Sequence, residues 1–359
     1  MGHVRVFAAL GSFISAALIA FTLWAEPWSW IILRIIIGFC MSGVYVTAES
    51  WLNNATTNEN RGKMLSVYMI AQTLGIIGAQ GLLTLGDAAN AALFIGASIL
   101  VSISFAPILL SIQPAPAIEV TKPGGLKDLL EASPLGTVGI FFLGSIYASQ
   151  SGMGAVFGSE IGLSANQIAL FVAMLFGGAL LLQVPIGWLS DRTDRRWVIC
   201  GTAILRAAAC WLGWIAQSPP VWLALDPLIP IMGAAFFAGG MTTPLYALLL
   251  AYTNDNVAAE DMSAISGDLV FTFGLGAILG PIGMGFAMET LGPFAFWLVL
   301  AGTFVTIALY ALYRMSQTDP VPGSQTDAYV NLVPTASIVA VEDATNWAAE
   351  HAEDEDPLP

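Results

Sequence analysis

Residues 187–196 read GWLSDRTDRR, and they join two long apolar runs at about 167–188 and 197–216. A helix needs about 20 apolar residues to cross the hydrocarbon core of a membrane, and each run has roughly that length. The joining stretch carries two aspartates and three arginines, which are costly to place in hydrocarbon. The pattern therefore predicts two membrane-spanning helices connected by a charged loop.

The composition of the whole chain extends this prediction to the remaining sequence. Of the 359 residues, 57% are hydrophobic and 10% are charged, whereas about 25% of the residues in a soluble domain are charged. In lipid, backbone groups must pair internally, so long apolar runs form helices. The expected fold class is an all-α polytopic membrane protein with about ten transmembrane helices. The expected spans lie at about 6–24, 29–50, 65–84, 91–110, 136–156, 167–188, 197–216, 223–252, 262–287 and 293–313.

The connections divide these helices into two groups. Residues 111–135 form a long connection with several prolines and glycines, which is typical of a linker. We therefore predict an N-terminal bundle of four helices in residues 1–110, a cytoplasmic linker, and a bundle of six helices in residues 136–314. Residues 315–359 hold nine of the 25 acidic residues and no lysine or arginine, so a disordered acidic tail in the cytoplasm is expected.

Basic residues occur in alternate connections between the spans. Their positions are Arg5, Arg61, Lys63, Lys122, Lys127, Arg192, Arg195, Arg196 and Arg314. Cytoplasmic loops are enriched in lysine and arginine. The distribution therefore predicts that both termini lie in the cytoplasm.

The chain partly repeats itself at an offset of 201 residues. The matching pairs are Gly38 with Gly239, Tyr45 with Tyr246 and Gly75 with Gly276, and after a one-residue slip Gly78 with Gly280. A common offset favours an internal duplication, and two bundles related by a parallel repeat are typical of one class of transporter. The second half has six expected spans and the first half has four, so the repeat places two missing helices before residue 1.

Four stretches resemble motifs of the major facilitator superfamily, and the resemblance extends to about residue 313. The stretch GWLSDRTDRR is similar to the signature loop G-x-L-A-D-R-x-G-R-K in its second-half copy, with Asp194 where the family usually has glycine. Residues 33–38 (LRIIIG) and 275–283 (LGAILGPIG) resemble the second and third motifs, and residues 48–53 (AESWLN) resemble a YcaD-like branch of bacterial facilitators. The resemblance implies a two-bundle secondary transporter with four plus six helices instead of twelve. It also implies a multi-pass protein of the bacterial inner (plasma) membrane.

The resemblance also implies a gating role for the signature loop. The residues that match its pattern are Gly187, Leu189, Asp191, Arg192, Arg195 and Arg196. By this analogy Asp191 would cap the positive N-terminus of the helix that begins near Lys63, and so lock the outward-open state. The alternative is that these arginines only mark the cytoplasmic side of the membrane.

Four charged residues fall inside or at the ends of expected spans, namely Arg34, Glu49, Arg206 and Asp268. Because charge is costly in hydrocarbon, each should face the bundle interior, find a partner or reach the interface. Arg34 and Glu49 are 15 residues apart, roughly 22 Å along a helix, and cannot pair with each other. Pairing of Asp268 with Arg206 and proton coupling through Glu49 or Asp268 are hypotheses; structural pairing is the alternative.

Uncharged polar residues within the spans are candidates for the wall of a substrate cavity. They are Tyr45, Gln72, Tyr147, Gln150, Thr243 and Tyr246, with Tyr68, Gln183, Thr242 and Thr272 as further candidates. Each of them is equally suited to hydrogen bonding between helices. The sequence alone does not choose between these two roles.

The predicted function is secondary transport of a small solute by alternating access, with protons as the candidate coupling ion. Cys40, Cys200 and Cys210 lie in apolar runs and are interpreted as buried hydrophobic residues, so no metal, cofactor or catalytic residue is predicted. The expected partners are the lipid bilayer, a small-molecule solute and protons, and without a basic patch nucleic-acid binding is not expected. The alternatives are a truncated fragment that does not transport and, more remotely, a membrane-embedded enzyme. Substrate, direction of transport and oligomeric state stay open.

Overall fold

The computed structural model describes residues 3–24, 26–56, 58–86, 90–109, 125–218, 226–257, 262–318, 326 and 329–351. These residues form 13 α-helices and no β-strand. The helices are α1 (His3–Leu23), α2 (Pro27–Ala55), α3 (Asn58–Leu83), α4 (Ala91–Leu109), α5 (Leu126–Ala132), α6 (Pro134–Glu160), α7 (Ala165–Ser190), α8 (Arg195–Ile215), α9 (Leu228–Gly240), α10 (Thr242–Asn254), α11 (Met262–Leu291), α12 (Ala295–Met315) and α13 (Ile338–His351).

The predicted spans correspond to helices of this structure. Among the described residues, nine helical stretches are long and apolar enough to cross a membrane, with α9 and α10 counted as one stretch. The remaining predicted span, the fourth along the chain, corresponds to α4, a shorter apolar helix. The eighth predicted span differs in detail, because it is interrupted at Met241 between α9 and α10. The prediction of an all-α membrane protein with about ten spans is confirmed.

Glycines let the helices of the second bundle (α6–α12) approach each other so closely that the backbone of one helix contacts the backbone of the next. A Cβ atom on Gly276 of α11 would lie 1.9 Å from the carbonyl oxygen of Phe141 in α6. A Cβ atom on Gly239 of α9 would lie 2.1 Å from the carbonyl oxygen of Leu175 in α7. Small residues at helix crossings allow this kind of close packing in membranes.

The repeat-related glycines of the first bundle (α1–α4) have different surroundings. Gly75 and Gly38 are the repeat partners of Gly276 and Gly239, and a Cβ atom on either would meet nothing within 4 Å. The same sequence feature is therefore packed in one bundle and uncovered in the other, within the described part of the chain. Open glycine faces lie on α2 and α3.

The two bundles meet mainly where α3 packs on α7. Leu65 and Met69 of α3 belong to the large apolar cluster of the second bundle, and Ile77 contacts the α7 surface near Gly177. A separate small cluster in the first bundle is formed by Ala17, Phe21 and Leu33. Because α3 contributes to the core of the other bundle, it holds the two halves together.

The prediction of a disordered tail over residues 315–359 is wrong for α13 and for residues 329–337, which precede it. Leu332 and Val341 are completely buried. Ala340, Ala344 and Ala348 recur every four residues, so they share one helix face, and this face is also buried. The acidic composition of the tail predicts disorder, although the tail also contains this apolar stripe. Residues 319–325, 327–328 and 352–359 of the predicted tail, and residues 111–124 of the predicted linker, lie outside the described residues.

Candidate functional site

The charged loop between α7 and α8 is organised by Asp194. Its carboxylate accepts hydrogen bonds from the backbone N–H of Arg196 at 3.0 Å and from the Arg196 side chain at 2.8 Å. An aspartate at the N-cap satisfies a free amide at the start of a helix. Burial raises the pKa of the Asp194 carboxyl, but the hydrogen bonds and charge of Arg196 outweigh it and hold that pKa below its usual value. The residue that departs from the family pattern is thus the N-cap of α8.

Arg195 ties this loop to the end of α10. Its guanidinium Nη1 lies 2.6 Å from a carboxylate oxygen of Asp255, and only 4% and 3% of these two side chains are exposed. Its Nε donates to Ser190 Oγ at 3.1 Å. Sequence reasoning did not identify Asp255, since it lies 60 residues away in a connection without basic residues. A buried, hydrogen-bonded ion pair makes Arg195 part of the architecture of the loop.

Asp191 and its neighbours face the segment that precedes α13. Asp191 Oδ1 accepts a hydrogen bond from the backbone N–H of Tyr329 at 2.9 Å. The Tyr329 ring packs against Gly187, where a Cβ atom would lie 2.5 Å from the ring. Lys63 lines the same cleft as Asp191. Capping of α3 by Asp191 stays a prediction.

The remaining residues of the predicted gate point outward. Leu189 and Arg192 are exposed. The Arg192 guanidinium stacks over the Trp188 ring at 4.5 Å and donates to the Trp188 carbonyl oxygen at 3.2 Å. These contacts are local to the end of α7.

Glu49 is a buried carboxylate at the end of α2, with 2% of its surface exposed. Its Oε1 accepts a hydrogen bond from the Tyr68 hydroxyl of α3 at 2.9 Å, and its Oε2 accepts one from the backbone N–H of Ser337 at 2.9 Å. Tyr45 and Tyr246 lie within electrostatic range of this carboxylate. Since Tyr246 belongs to α10, the Glu49 site lies where the two bundles meet.

Two predicted cavity residues from opposite bundles meet at Thr335. The Thr335 hydroxyl is 3.5 Å from Gln72 Oε1 in α3, and it also approaches the Tyr147 hydroxyl in α6. Tyr147 also packs against Phe273 of α11, with ring centroids 6.0 Å apart. Tyr45, Gln72, Tyr147 and Tyr246 are therefore brought together around Glu49 and the segment before α13.

Gln150 belongs to a different cluster, inside the second bundle. Arg206 is completely buried, donates to Gln150 Oε1 at 2.8 Å and to Thr242 Oγ1, and lies 4.0 Å above the Phe304 ring. The Thr242 hydroxyl in turn lies 3.1 Å from Gln150 Oε1. Arg206 thus binds neutral partners and does not pair with Asp268. Thr243 is the next residue along α10 and is 7% exposed.

The last two charged candidates have no partner among the described residues. Asp268 is half-buried in α11, and its Oδ2 atom is buried without a hydrogen bond to any described group. Arg34 is exposed on α2 and makes no ion pair with a described residue. Exposure of Arg34 does not favour the bundle interior, and the alternative, that its side chain reaches the membrane interface, stays a prediction. Gln183, a further candidate, lines the cleft beside Asp191.

Comparison with known protein families gives this arrangement a context. A family model described as the Major Facilitator Superfamily matches residues 135–342, which is more than half of the chain. The chain belongs to the Major Facilitator Superfamily. A second family model, described as sugar (and other) transporter, matches residues 4–117. The two matches together cover both bundles.

Relatives from several bacteria carry the same superfamily description. YfkF of Bacillus subtilis (strain 168), an uncharacterized MFS-type transporter, is 26% identical over 289 residues, which cover 78% of this chain and 71% of YfkF. The YcaD protein of Escherichia fergusonii is 27% identical over 258 residues, which cover 71% of this chain and 64% of YcaD. The resemblance of residues 48–53 to a YcaD-like branch of the superfamily is consistent with these matches.

Solved structures of superfamily members share the fold. The nucleoside transporter NupG superposes with a TM-score of 0.67 at 14% sequence identity, covering 87% of this chain and 83% of NupG. A bacterial homolog of the human lysosomal transporter Spinster, in an inward-facing and unoccupied conformation, superposes with a TM-score of 0.57 at 15% identity. That match covers 98% of this chain and 84% of the homolog. At these identities the likeness concerns the fold alone.

Proposed function

We propose that this superfamily member is a secondary transporter that moves a small solute by alternating access between its two bundles. The most direct support is that Gln72 of the first bundle and Tyr147 of the second both lie next to Thr335, close to Glu49. Superfamily transporters built from two repeats bind their cargo between the halves, and rock the halves about that site. The arrangement is suited to a solute held by hydroxyl and amide groups.

Glu49 is the proposed proton carrier. A carboxylate that is buried near the interface of two bundles is costly when charged and can be relieved by binding a proton. Its hydrogen bond from Tyr68 lies within the first bundle, whereas Tyr246 approaches from the second. Rocking of the bundles would therefore change the surroundings of Glu49, which is the requirement for coupling proton binding to the conformational change.

The test of the transport function is uptake by proteoliposomes. Liposomes containing the purified protein are incubated with a defined mixture of amino acids, nucleosides, sugars and organic acids under an inward proton gradient, and their contents are measured by mass spectrometry. We expect at least one solute to accumulate above the level in protein-free liposomes. Equal contents in both preparations, with and without the gradient, would contradict the proposal.

Replacement of the proton carrier should separate uptake from exchange. In Glu49→Gln we expect gradient-driven uptake to fall at least tenfold, because the amide keeps the hydrogen-bonding shape but cannot take up a proton. Exchange of labelled for unlabelled solute, which needs no net proton movement, should continue. Glu289→Gln, at an exposed position, is the matched control and should keep both activities. Unchanged gradient-driven uptake in Glu49→Gln would exclude Glu49 as the carrier.

The gate hypothesis predicts a transport defect at the signature loop. Asp191→Asn should lower uptake by a factor of about three to ten, a range that corresponds to roughly 0.6–1.4 kcal/mol of helix-terminus stabilisation lost with the negative charge. The asparagine oxygen can still accept the hydrogen bond from Tyr329, so the fold and the amount of protein in the membrane should not change. Asp226→Asn, an exposed aspartate, serves as control. Normal uptake at normal expression would show that Asp191 is not part of a gate.

A further inference from the structure

Residues 329–351, named here the C-terminal plug, lie across the end of the molecule that carries Asp191 and Glu49. On the first bundle, Ser337 donates its backbone N–H to Glu49 at 2.9 Å. The Asn53 side-chain amide donates to the carboxylate of Asp343 in α13. The plug is thus anchored to α2 both before and within its helix.

The same segment is anchored to the second bundle. Tyr329 donates its backbone N–H to Asp191 at 2.9 Å, and the side-chain amide of Asn254 donates to Thr345 Oγ1 at 3.1 Å. Ile338 packs on Gly267 of α11, where a Cβ atom would lie 3.1 Å from its Cδ1 atom. The plug therefore connects α7, α10 and α11 with α2, and it bridges the two halves that alternating access has to separate.

Within the plug, the buried residues of α13 lie on the helix face that is turned toward the bundles. Ala344 in α13 is 1% exposed, and Ala340 is completely buried. Asn346, two residues after Ala344 on the same helix, is exposed. The small alanine face lets α13 sit deep between the bundles, and Thr335 reaches Gln72 and Tyr147 in the candidate cavity.

We propose that the C-terminal plug is an autoinhibitory element. It closes the candidate cavity around Gln72 and Tyr147 at the end that carries Asp191 and Glu49, named here the mouth. Solute can enter or leave through the mouth only when the plug detaches. The proposal rests on the proposed transport function. A segment that binds one conformation shifts the equilibrium toward it by its differential affinity. Because the plug is part of the same chain, its effective concentration at the mouth is high.

The experiment measures access to the cavity rather than transport. Cys40, Cys200 and Cys210, which are buried and free, are replaced by alanine, and Gln72→Cys, beneath the plug, is introduced as the reporter. Membrane vesicles are sorted by the accessibility of a tag at the C-terminus. A membrane-impermeant maleimide is then added to the side that bears the tag, and the rate of alkylation is measured.

Two full-length variants weaken the plug by different means. Ala344→Arg places a long charged side chain on the buried face of α13, and Asn346→Arg places the same side chain on the exposed face as control. Ser337→Pro removes the backbone N–H that donates a hydrogen bond to Glu49, and the hydroxyl that accepts one from the backbone N–H of Val339. Ser337→Thr keeps both groups. We expect at least tenfold faster alkylation in Ala344→Arg and Ser337→Pro, and less than twofold change in the two controls.

The outcomes separate the plug from the transport function. If both weakened variants are folded and in the membrane but are alkylated at the same rate as the reporter protein without plug substitutions, the proposed role of the plug is wrong. Equal acceleration in the weakened variants and in their controls would also overturn it. Uptake is measured in matched variants that keep Gln72. Faster alkylation without solute uptake in any of these matched variants would support the plug and contradict the proposed transport function. Faster alkylation together with faster uptake would support both.

Discussion

Gly276→Ala is expected to destabilise the second bundle severely. The new Cβ atom would lie 1.9 Å from the carbonyl oxygen of Phe141 and 2.9 Å from the backbone nitrogen of Ser145. Backbone atoms cannot rotate away as the end of a long side chain can, so α11 would have to move off α6. Overpacking typically costs about 1–3 kcal/mol, and we expect the upper part of this range or more. Thermal unfolding of the purified protein in detergent should show a midpoint several degrees lower.

The internal repeat supplies the control for this prediction. Gly75 is the repeat partner of Gly276, and a Cβ atom there would meet nothing within 4 Å. Gly75→Ala should leave the midpoint unchanged or raise it slightly, since alanine favours helix more than glycine does by about 1 kcal/mol. Equal destabilisation in both variants would contradict the assignment of the stability loss in Gly276→Ala to its contact with Phe141.

Arg195→Met is expected to destabilise the protein by about 3–5 kcal/mol, the usual cost of removing one member of a buried ion pair. Methionine keeps much of the side-chain length but takes the guanidinium away from Asp255, whose carboxylate is 3% exposed. The loss should appear as a lower unfolding midpoint and a smaller yield of folded protein. Arg192→Met, at an exposed position three residues earlier, should change the midpoint very little.

A double variant tests whether the ion pair itself is responsible. Replacing both members of a buried pair by apolar side chains is often close to neutral. We therefore expect Arg195→Met with Asp255→Leu to recover part of the stability lost in Arg195→Met alone. A double variant as unstable as the sum of the two single changes would assign the loss to packing or to other contacts of these side chains.

The membrane spans and the charged loop were predictable because their signal is local. A span needs only about 20 consecutive apolar residues, and ten such runs correspond to helices α1–α4, α6–α8, the α9–α10 stretch, α11 and α12. The break at Met241 was not predictable in the same way. It lies where Gly239 and Gly240 bring α9 against the backbone of α7, a contact between segments about 60 residues apart.

The candidate site was predictable as a set of residue types, but its grouping was not. From the sequence alone, four residues are equally good candidates for the cavity wall, namely Tyr45, Gln72, Tyr147 and Gln150. In the structure, Gln72 and Tyr147 meet at Thr335, whereas Gln150 is engaged by Arg206 inside the second bundle. Helical periodicity shows which residues share a face of one helix, but it does not show which faces of different helices meet.

By itself, the sequence determined the membrane class, the spans, the internal repeat and the charged loop, because each depends on hydrophobicity and charge along short stretches of chain. Only the tertiary structure decided that Arg195 pairs with Asp255 and that residues 329–351 dock between the bundles. The acidic composition around α13 predicts disorder, yet its stripe of Ala340, Ala344 and Ala348 becomes favourable to bury once α2, α3 and α11 present a surface that fits it. Burial is a property of two matching surfaces, and the second surface lies far away in the sequence.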